Sequence, residues 1–324
     1  MDPSVPSTPG VVGASADAGA LRRVWRPGFP LDLRLTLGQL RRGHSDPTYH
    51  AASDGSVWRT ARTPVGACTL RVVDRPSTGE IEAYAWGPGA AWQLDALPAL
   101  LGADDTPHAF APRHAITRDA ARRFAGLRMP RTTLVFAALV PSILEQKVTT
   151  IEARRAFRLL LGKYGEAAPG PAPERLRVVP DVRGWALVPS WEWARAGVDA
   201  RRSRTVMEAS RVAGRLEATT GVANVEAARL LRVVPGIGVW TAAETMQRSH
   251  GDPDALSVGD LHLPKTIGHA LAGRAVDDAG MLELLACYAG HRHRAALLIR
   301  MSGVPVPRRA PRYAPRTHLA GQGF

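Results

Sequence analysis

A chain of 324 residues with 45% hydrophobic content has material for two domains or one elaborated domain. Its 42 Lys and Arg against 29 Asp and Glu give a net charge of +13, nearly all from arginine, since lysine stands only at Lys147, Lys163 and Lys265; this favours polyanionic partners, an arginine-biased composition being the plainer alternative. Two cysteines, Cys68 and Cys287, cannot form a four-cysteine metal site or a secreted disulfide framework, and no run of about 18 apolar residues marks a membrane span, so a cytoplasmic location is expected.

Residues 1–20 are rich in Pro, Ser, Gly and Ala, lack a signal-peptide pattern and read as a disordered leader. Residues 21–111 suit a small α+β domain with an antiparallel sheet. "LDLRLTL" (31–37) alternates with period two and reads as a strand; "SVWRTARTPVGACTLRVVD" (56–74) and "GEIEAYAWG" (79–87) read as further strands. "WQLDALPALLGADD" (92–105) offers a short helix.

From 112 to 305 the pattern is mostly helical. "LVFAALVPSILEQKV" (134–148) places Leu139, Val140, Ile143 and Leu144 on one buried helix face. Thr149 with Glu152 forms a capping-box pattern for the next helix. Gln146, Lys147 and Val148 therefore fall near an interhelical turn. "EAAPGPAPERLRVVPD" (166–181) reads as a loop, and helices are expected at 190–196, 199–219, 224–233, 239–250, 262–272 and 279–303. The segment 306–324 is Pro- and Arg-rich and reads as a basic, disordered tail.

Two of these helices flank "PGIG" (235–238), the first capped by Asn224 and the second ended by Gly251, which makes 224–250 a helix–hairpin–helix. Gly236 and Gly238 permit backbone angles closed to other residues and remove bulk. The N–H groups at the start of the second helix can then face an anion such as a phosphate. A plain interhelical turn remains the alternative. Twenty residues beyond Trp240 lies "SVGDLHLPKTIGHAL", in which Asp260 is either a helix cap or a carboxylate facing whatever the hairpin holds.

"VPGIGVWTA" followed at this spacing by "VGD" resembles the helix-hairpin-helix DNA glycosylase superfamily, and within it the bacterial 3-methyladenine DNA glycosylase II group. The resemblance extends over "GLRMPRTTLVFAALVPSILEQKVTTIEARRAFRLLLGKYGE", similar to that group's first helical segment, and covers approximately residues 25–303. It implies an α+β chain, with a small antiparallel-sheet N-terminal domain before a mostly α-helical glycosylase fold. It implies an enzyme of base excision repair that flips alkylated purines out of duplex DNA and hydrolyses their N-glycosidic bonds, with Asp260 catalytic. In strand-cutting relatives a lysine occupies the position of Trp240, so this chain is expected to be monofunctional, leaving an abasic site; Lys265 is a weak alternative amine.

The resemblance places Trp240, Glu244 and His291 in the base pocket, where relatives carry an additional tyrosine and tryptophan at the latter two positions. That substitution puts the substrate base in doubt. Gly236, Ile237, Gly238, Thr241, Gln146 and Lys147 are the implied DNA contacts, with Lys147 at the family's wedge position. Carbonyl oxygens of Arg232, Val234 and Ile237 are the implied ligands of a Na+ or K+ ion. No other cofactor is expected, and an iron–sulfur cluster is not. The expected partner is double-stranded DNA with damaged bases, bound by a monomer without a membrane. A glycosylase for a deaminated or oxidised base, and a non-catalytic helix-hairpin-helix DNA-binding protein, remain the alternatives.

Overall fold

A computed structural model describes residues 19–305. Residues 1–18 of the expected leader and the whole expected tail, 306–324, lie outside the described residues; Ala20, at the leader's end, is buried.

The N-terminal part is a five-stranded antiparallel sheet in the order β1-β5-β4-β3-β2. Its strands are β1 (Leu21–Trp25), β2 (Tyr49–Ala51), β3 (Val57–Thr63), β4 (Gly66–Arg75) and β5 (Glu80–Trp86). In this register Val57 faces Val72, and Leu70 faces Ala85. The alternation lays Val57, Leu70, Val72 and Ala83 on one buried face. Helices α1 (Leu33–Gly38), α2 (Ala90–Asp95) and α3 (Leu97–Leu100) close that core with Leu37, Leu94 and Leu97.

The strand expected at 31–37 is therefore corrected to the helix α1. Asp32 accepts the N–H of Leu35 at 2.8 Å, which caps a helix start. Leu33, Thr36 and Leu37 are the buried residues, at i, i+3 and i+4, so the helical period prevails over the alternation. Edge strands β1 and β2 were not anticipated. β1 holds its place partly through the 2.6 Å pair of Arg22 with Glu82 on β5.

The remaining chain is largely helical: α4 (Ala115–Arg123), α5 (Val135–Leu144), α6 (Thr150–Tyr164), α7 (Val182–Ala186), α8 (Ser190–Arg195) and α9 (Ala200–Arg211). Then come α10 (Ala213–Glu217), α11 (Asn224–Leu231), α12 (Val239–Ser249), α13 (Leu263–Ala272), α14 (Asp278–Leu285) and α15 (Arg292–Met301). Nearly all of α5 is buried, and α12 packs along it. The capping box at Thr149 and Glu152 forms as expected.

Three expectations are corrected in detail. The segment 166–181 contains a small ladder between β6 (Glu166–Ala167) and β7 (Arg177–Val178). The helix expected at 199–219 breaks at Val212, whose φ of −118° is not helical. The helix expected at 279–303 splits between α14 and α15, where Gly290 adopts a φ of +87° and Tyr288 turns inward.

Arg42 joins the sheet-bearing part to the helices. Its guanidinium, 6% exposed, meets Glu145 at 2.5 Å and the hydroxyl of Ser142 at 3.1 Å. This contact fixes the end of α5, and with it the turn that leads into α6.

Candidate active site and hairpin interface

The hairpin forms between α11 and α12. Asn224 is the first helical residue and Ala223 the cap, with no side-chain capping bond, which corrects the cap expected at Asn224. Gly236 has a φ of +92°, and a Cβ added there would collide with the Thr205 hydroxyl. Glycine is thus required for both conformation and space. Gly236 and Gly238 are exposed while Val234 and Ile237 point into the core. Gly238 caps α12 without a side chain, leaving the first-turn N–H groups outward, at the positive end of the helix dipole. That rim suits an anion.

Gln146 and Thr241, two of the expected DNA contacts, brace this loop. Gln146 Nε2 donates to Gly236 O at 3.0 Å and to Thr241 Oγ1 at 2.8 Å. Thr241 is only 2% exposed. Lys147, beside them in the turn between α5 and α6, is exposed and has a φ of +53°. A lysine in the left-handed region costs about 1–3 kcal/mol, a strain that surroundings must maintain.

Asp260 stands at the end of a turn in which its own N–H donates to Ser257 O at 3.3 Å. Gly259, with a φ of +89°, supplies the left-handed residue of this turn, and its N–H donates to Asp278 on α14. The two carboxylate oxygens do different things. Oδ1 accepts the N–H groups of His262 and Leu263, each at 2.8 Å, at the entry to α13, whose N-cap residue is His262. Oδ2 accepts the indole Nε1–H of Trp240 at 3.3 Å. Asp260 thus braces the start of α13 with one oxygen and meets the hairpin helix with the other.

Trp240, Glu244 and Arg248 follow one another at four-residue spacing on one face of α12. Glu244 is not a solvated residue: its carboxylate pairs with Arg248 at 2.9 Å and accepts the Ser257 hydroxyl at 2.6 Å. Burial pushes its pKa up, but Arg248, Ser257 and Arg42 prevail and hold it down at about 2. Arg248 keeps a buried Nε with no hydrogen-bond partner. Below the pair, a cavity of about 70 Å³ is lined by Arg42, Arg59, Arg62, Thr132, Pro141 and Arg248.

His291 caps α15 and sits edge-on to Phe110, with Nδ1 accepting from Arg294 Nε at 3.4 Å. Burial and the neighbouring Arg294 lower its pKa. The histidine that senses Glu244 and Arg248 is His293, two residues on. Burial, and the positive charges of Arg248, Arg300 and Arg294, bring it down to about 3 against the pull of Glu244. Sequence reasoning missed Arg248, Arg42, Glu145 and His293. Only the i+4 spacing of Glu244 and Arg248 was a visible signal; the others meet through tertiary packing.

No model of a protein family matches the chain. The chain is 30% identical over 140 residues to a probable bifunctional transcriptional activator/DNA repair enzyme AlkA of Mycobacterium tuberculosis. That match takes in 43% of this chain and 28% of the relative's length. The fold is similar to a 3-methyladenine DNA glycosylase from Archaeoglobus fulgidus, with a TM-score of 0.71 at 15% identity over 86% of this chain and 98% of that one. It is also similar to the 8-oxoguanine glycosylase/lyase of Clostridium acetobutylicum, with a TM-score of 0.67 at 13% identity over 90% and 98%. With its five-stranded antiparallel sheet, its helical body and the hairpin between α11 and α12, the chain has the fold of the helix-hairpin-helix DNA glycosylases.

Proposed function

We propose that the protein is a monofunctional DNA glycosylase that removes alkylated purines from duplex DNA by hydrolysis. The observation that carries this reading is the split use of the Asp260 carboxylate, one oxygen locked to α13 and the other turned to Trp240 on the hairpin helix. The exposed hairpin rim would hold phosphates of the damaged strand through backbone N–H groups, positioning without reading sequence. The damaged nucleotide would leave the stack, at a cost of a few kcal/mol that damage reduces.

Cleavage of the N-glycosidic bond develops positive charge on the sugar. Asp260, held rigid by its backbone donors, would stabilise that charge and orient the attacking water. A purine alkylated at a ring nitrogen such as N3 of adenine or N7 of guanine is cationic and leaves without a strong general acid. The Trp240 ring favours such a base through a cation–π attraction of about 0.5–2 kcal/mol. Trp240 offers no amine for a Schiff base, which supports release of the base without strand cutting. The carbonyl oxygens of Arg232, Val234 and Ile237 lie in the loop outside the helices, a hard-oxygen set that fits a monovalent cation. Such an ion would fix the loop and add positive charge beside the phosphates.

A second reading concerns the base alone. Glu244, one turn beyond Trp240 on α12, is already neutralised by Arg248 and so brings no free negative charge to attract a cationic base. That favours a neutral base, such as an oxidised or deaminated purine. The test is release of bases from dimethyl-sulfate-treated duplex DNA, beside duplexes carrying 8-oxoguanine or hypoxanthine, with alkali afterwards to reveal abasic sites. The first reading expects release of methylated purines, strand breaks only after alkali and no borohydride-trapped adduct. Release confined to the neutral lesions would establish the second reading, and DNA binding without any release would reduce the protein to a non-catalytic binder.

A further inference from the structure

A second basic feature lies away from Asp260. An open cleft of about 730 Å³ is walled by three separate segments: the loop of residues 41–51, helix α6, and the chain entering β7. Arg41, His44, His50, Arg158, Arg175 and Arg177 line it, and among the described residues no carboxylate does. Two acids adjoin lining residues in sequence: Asp46 is buried, its oxygens taking the N–H groups of Arg42 and Thr48, and Glu174 is exposed beside Arg175 without lining the cleft.

Three of the four guanidiniums in the cleft are fixed by uncharged partners, and the fourth, Arg158, is exposed on α6. Arg41 donates to the carbonyls of Gly43 and His44 at 2.8 Å. Arg177 donates to the carbonyls of Glu174 and Leu176 at 2.6 and 2.9 Å. Arg175 bonds to Asp46 O and to His50 Nδ1, the latter at 2.6 Å. A ring nitrogen that accepts from a guanidinium belongs to a neutral imidazole. Elsewhere arginines meet carboxylates, as Arg22, Arg75, Arg248 and Arg292 do. Pre-positioned arginines with uncompensated charge suit the repeated negative charges of a phosphate chain.

Helix α6 connects the cleft with the hairpin. It starts three residues after Lys147, next to Gln146, which holds Gly236. Arg158 lies eight residues along α6 from Thr150, about 12 Å at the helical rise. At about 3.4 Å of duplex axis per base pair, that is about four base pairs. We propose that this cleft binds the phosphodiester backbone of DNA beyond the stretch held by the hairpin, widening the footprint on one flank. The inference rests on the hairpin's DNA-binding reading and is independent of the chemistry at Asp260.

The test compares the wild type with Arg158→Ala/Arg175→Ala on duplexes of about 12 and about 30 base pairs, from about 50 to 200 mM salt, by fluorescence anisotropy. The double variant should match wild type on the short duplex. On the long duplex it should bind about tenfold more weakly at low salt, with a log–log salt slope smaller in magnitude by about 2. Arg158→Lys/Arg175→Lys keeps the charge and should retain most of that slope. An unchanged long-duplex slope in the alanine variant would overturn the proposal. So would tripolyphosphate binding that the alanine variant abolishes without any change in the long-duplex slope, which would mark a free-anion site. Absence of binding to either duplex by the wild type would instead defeat the hairpin reading, and this inference with it.

Discussion

The indole nitrogen of Trp240 donates to Oδ2 of Asp260 at 3.3 Å, while Oδ1 of the same carboxylate is held by two backbone N–H groups. Trp240 thus positions one oxygen by its edge, and in the proposed function its ring face meets the damaged base. Trp240→Phe keeps a ring and loses the donor. It should slow single-turnover base removal about tenfold through misplacement of the carboxylate, with DNA affinity unchanged. A decline in affinity without a decline in the chemical rate would remove the positioning role.

Arg248 cannot lose its partner cheaply. Glu244→Gln leaves a mostly buried guanidinium with its charge uncompensated, and should destabilise the fold by about 3–5 kcal/mol in urea unfolding. Combining it with Arg248→Met should recover much of that loss, because the charge is removed as well. Additive losses in the double variant would show that the pair is not coupled.

Acid stability follows from two groups of the same sign. The folded pKa of Glu244 lies at about 2 against 4.5, and that of His293 at about 3 against 6.5. In each case the unfolded chain binds the proton more readily, so stability is lost as pH falls. His293 acts from 6.5 downward and Glu244 from 4.5 downward. Glu217, whose pKa burial raises, works in the opposite direction. The informative quantity is therefore a difference: Tm of His293→Gln should fall less steeply than that of wild type between those two values. Parallel curves would contradict the account.

The left-handed backbone at Lys147 is a strain with no structural return of its own. Lys147→Gly should raise stability by up to about 1 kcal/mol. If the lysine fills the gap left by an extruded base, the same variant should remove a paired lesion about tenfold more slowly, and a mispaired one with less loss, since a mispaired base costs less to extrude. Equal losses on both would point to simple backbone contact.

The hairpin and Asp260 were legible because their chemistry is local: two glycines, a following helix and one carboxylate at fixed spacing. The same holds for the Thr149–Glu152 capping box. "LDLRLTL" misled because seven residues fit both periods, and the arbiter, Asp32, is the second residue of the alternation. Strand β1 hid behind Arg22 and Arg23, which find Glu82 and the carbonyl of Leu94 only in the folded sheet. Around Glu244 only the i+4 spacing to Arg248 was legible; Arg42 and Glu145 could not be paired, since they are 103 positions apart. His291 and His293 stand two residues apart at the start of α15, and only the helix phase decides which one senses Glu244.

Asp260 is proposed to stabilise the charge that develops as the glycosidic bond breaks. Asp260→Asn can keep its amide oxygen on the His262 and Leu263 N–H groups, so the brace at the start of α13 and the fold should survive. Single-turnover release of methylated purines from duplex DNA by this variant, with Tm and DNA affinity measured alongside, tests this role most directly. The expected rate is lower by about 100-fold or more, with Tm and affinity close to wild type. Release at the wild-type rate would show that Asp260 only braces the start of α13.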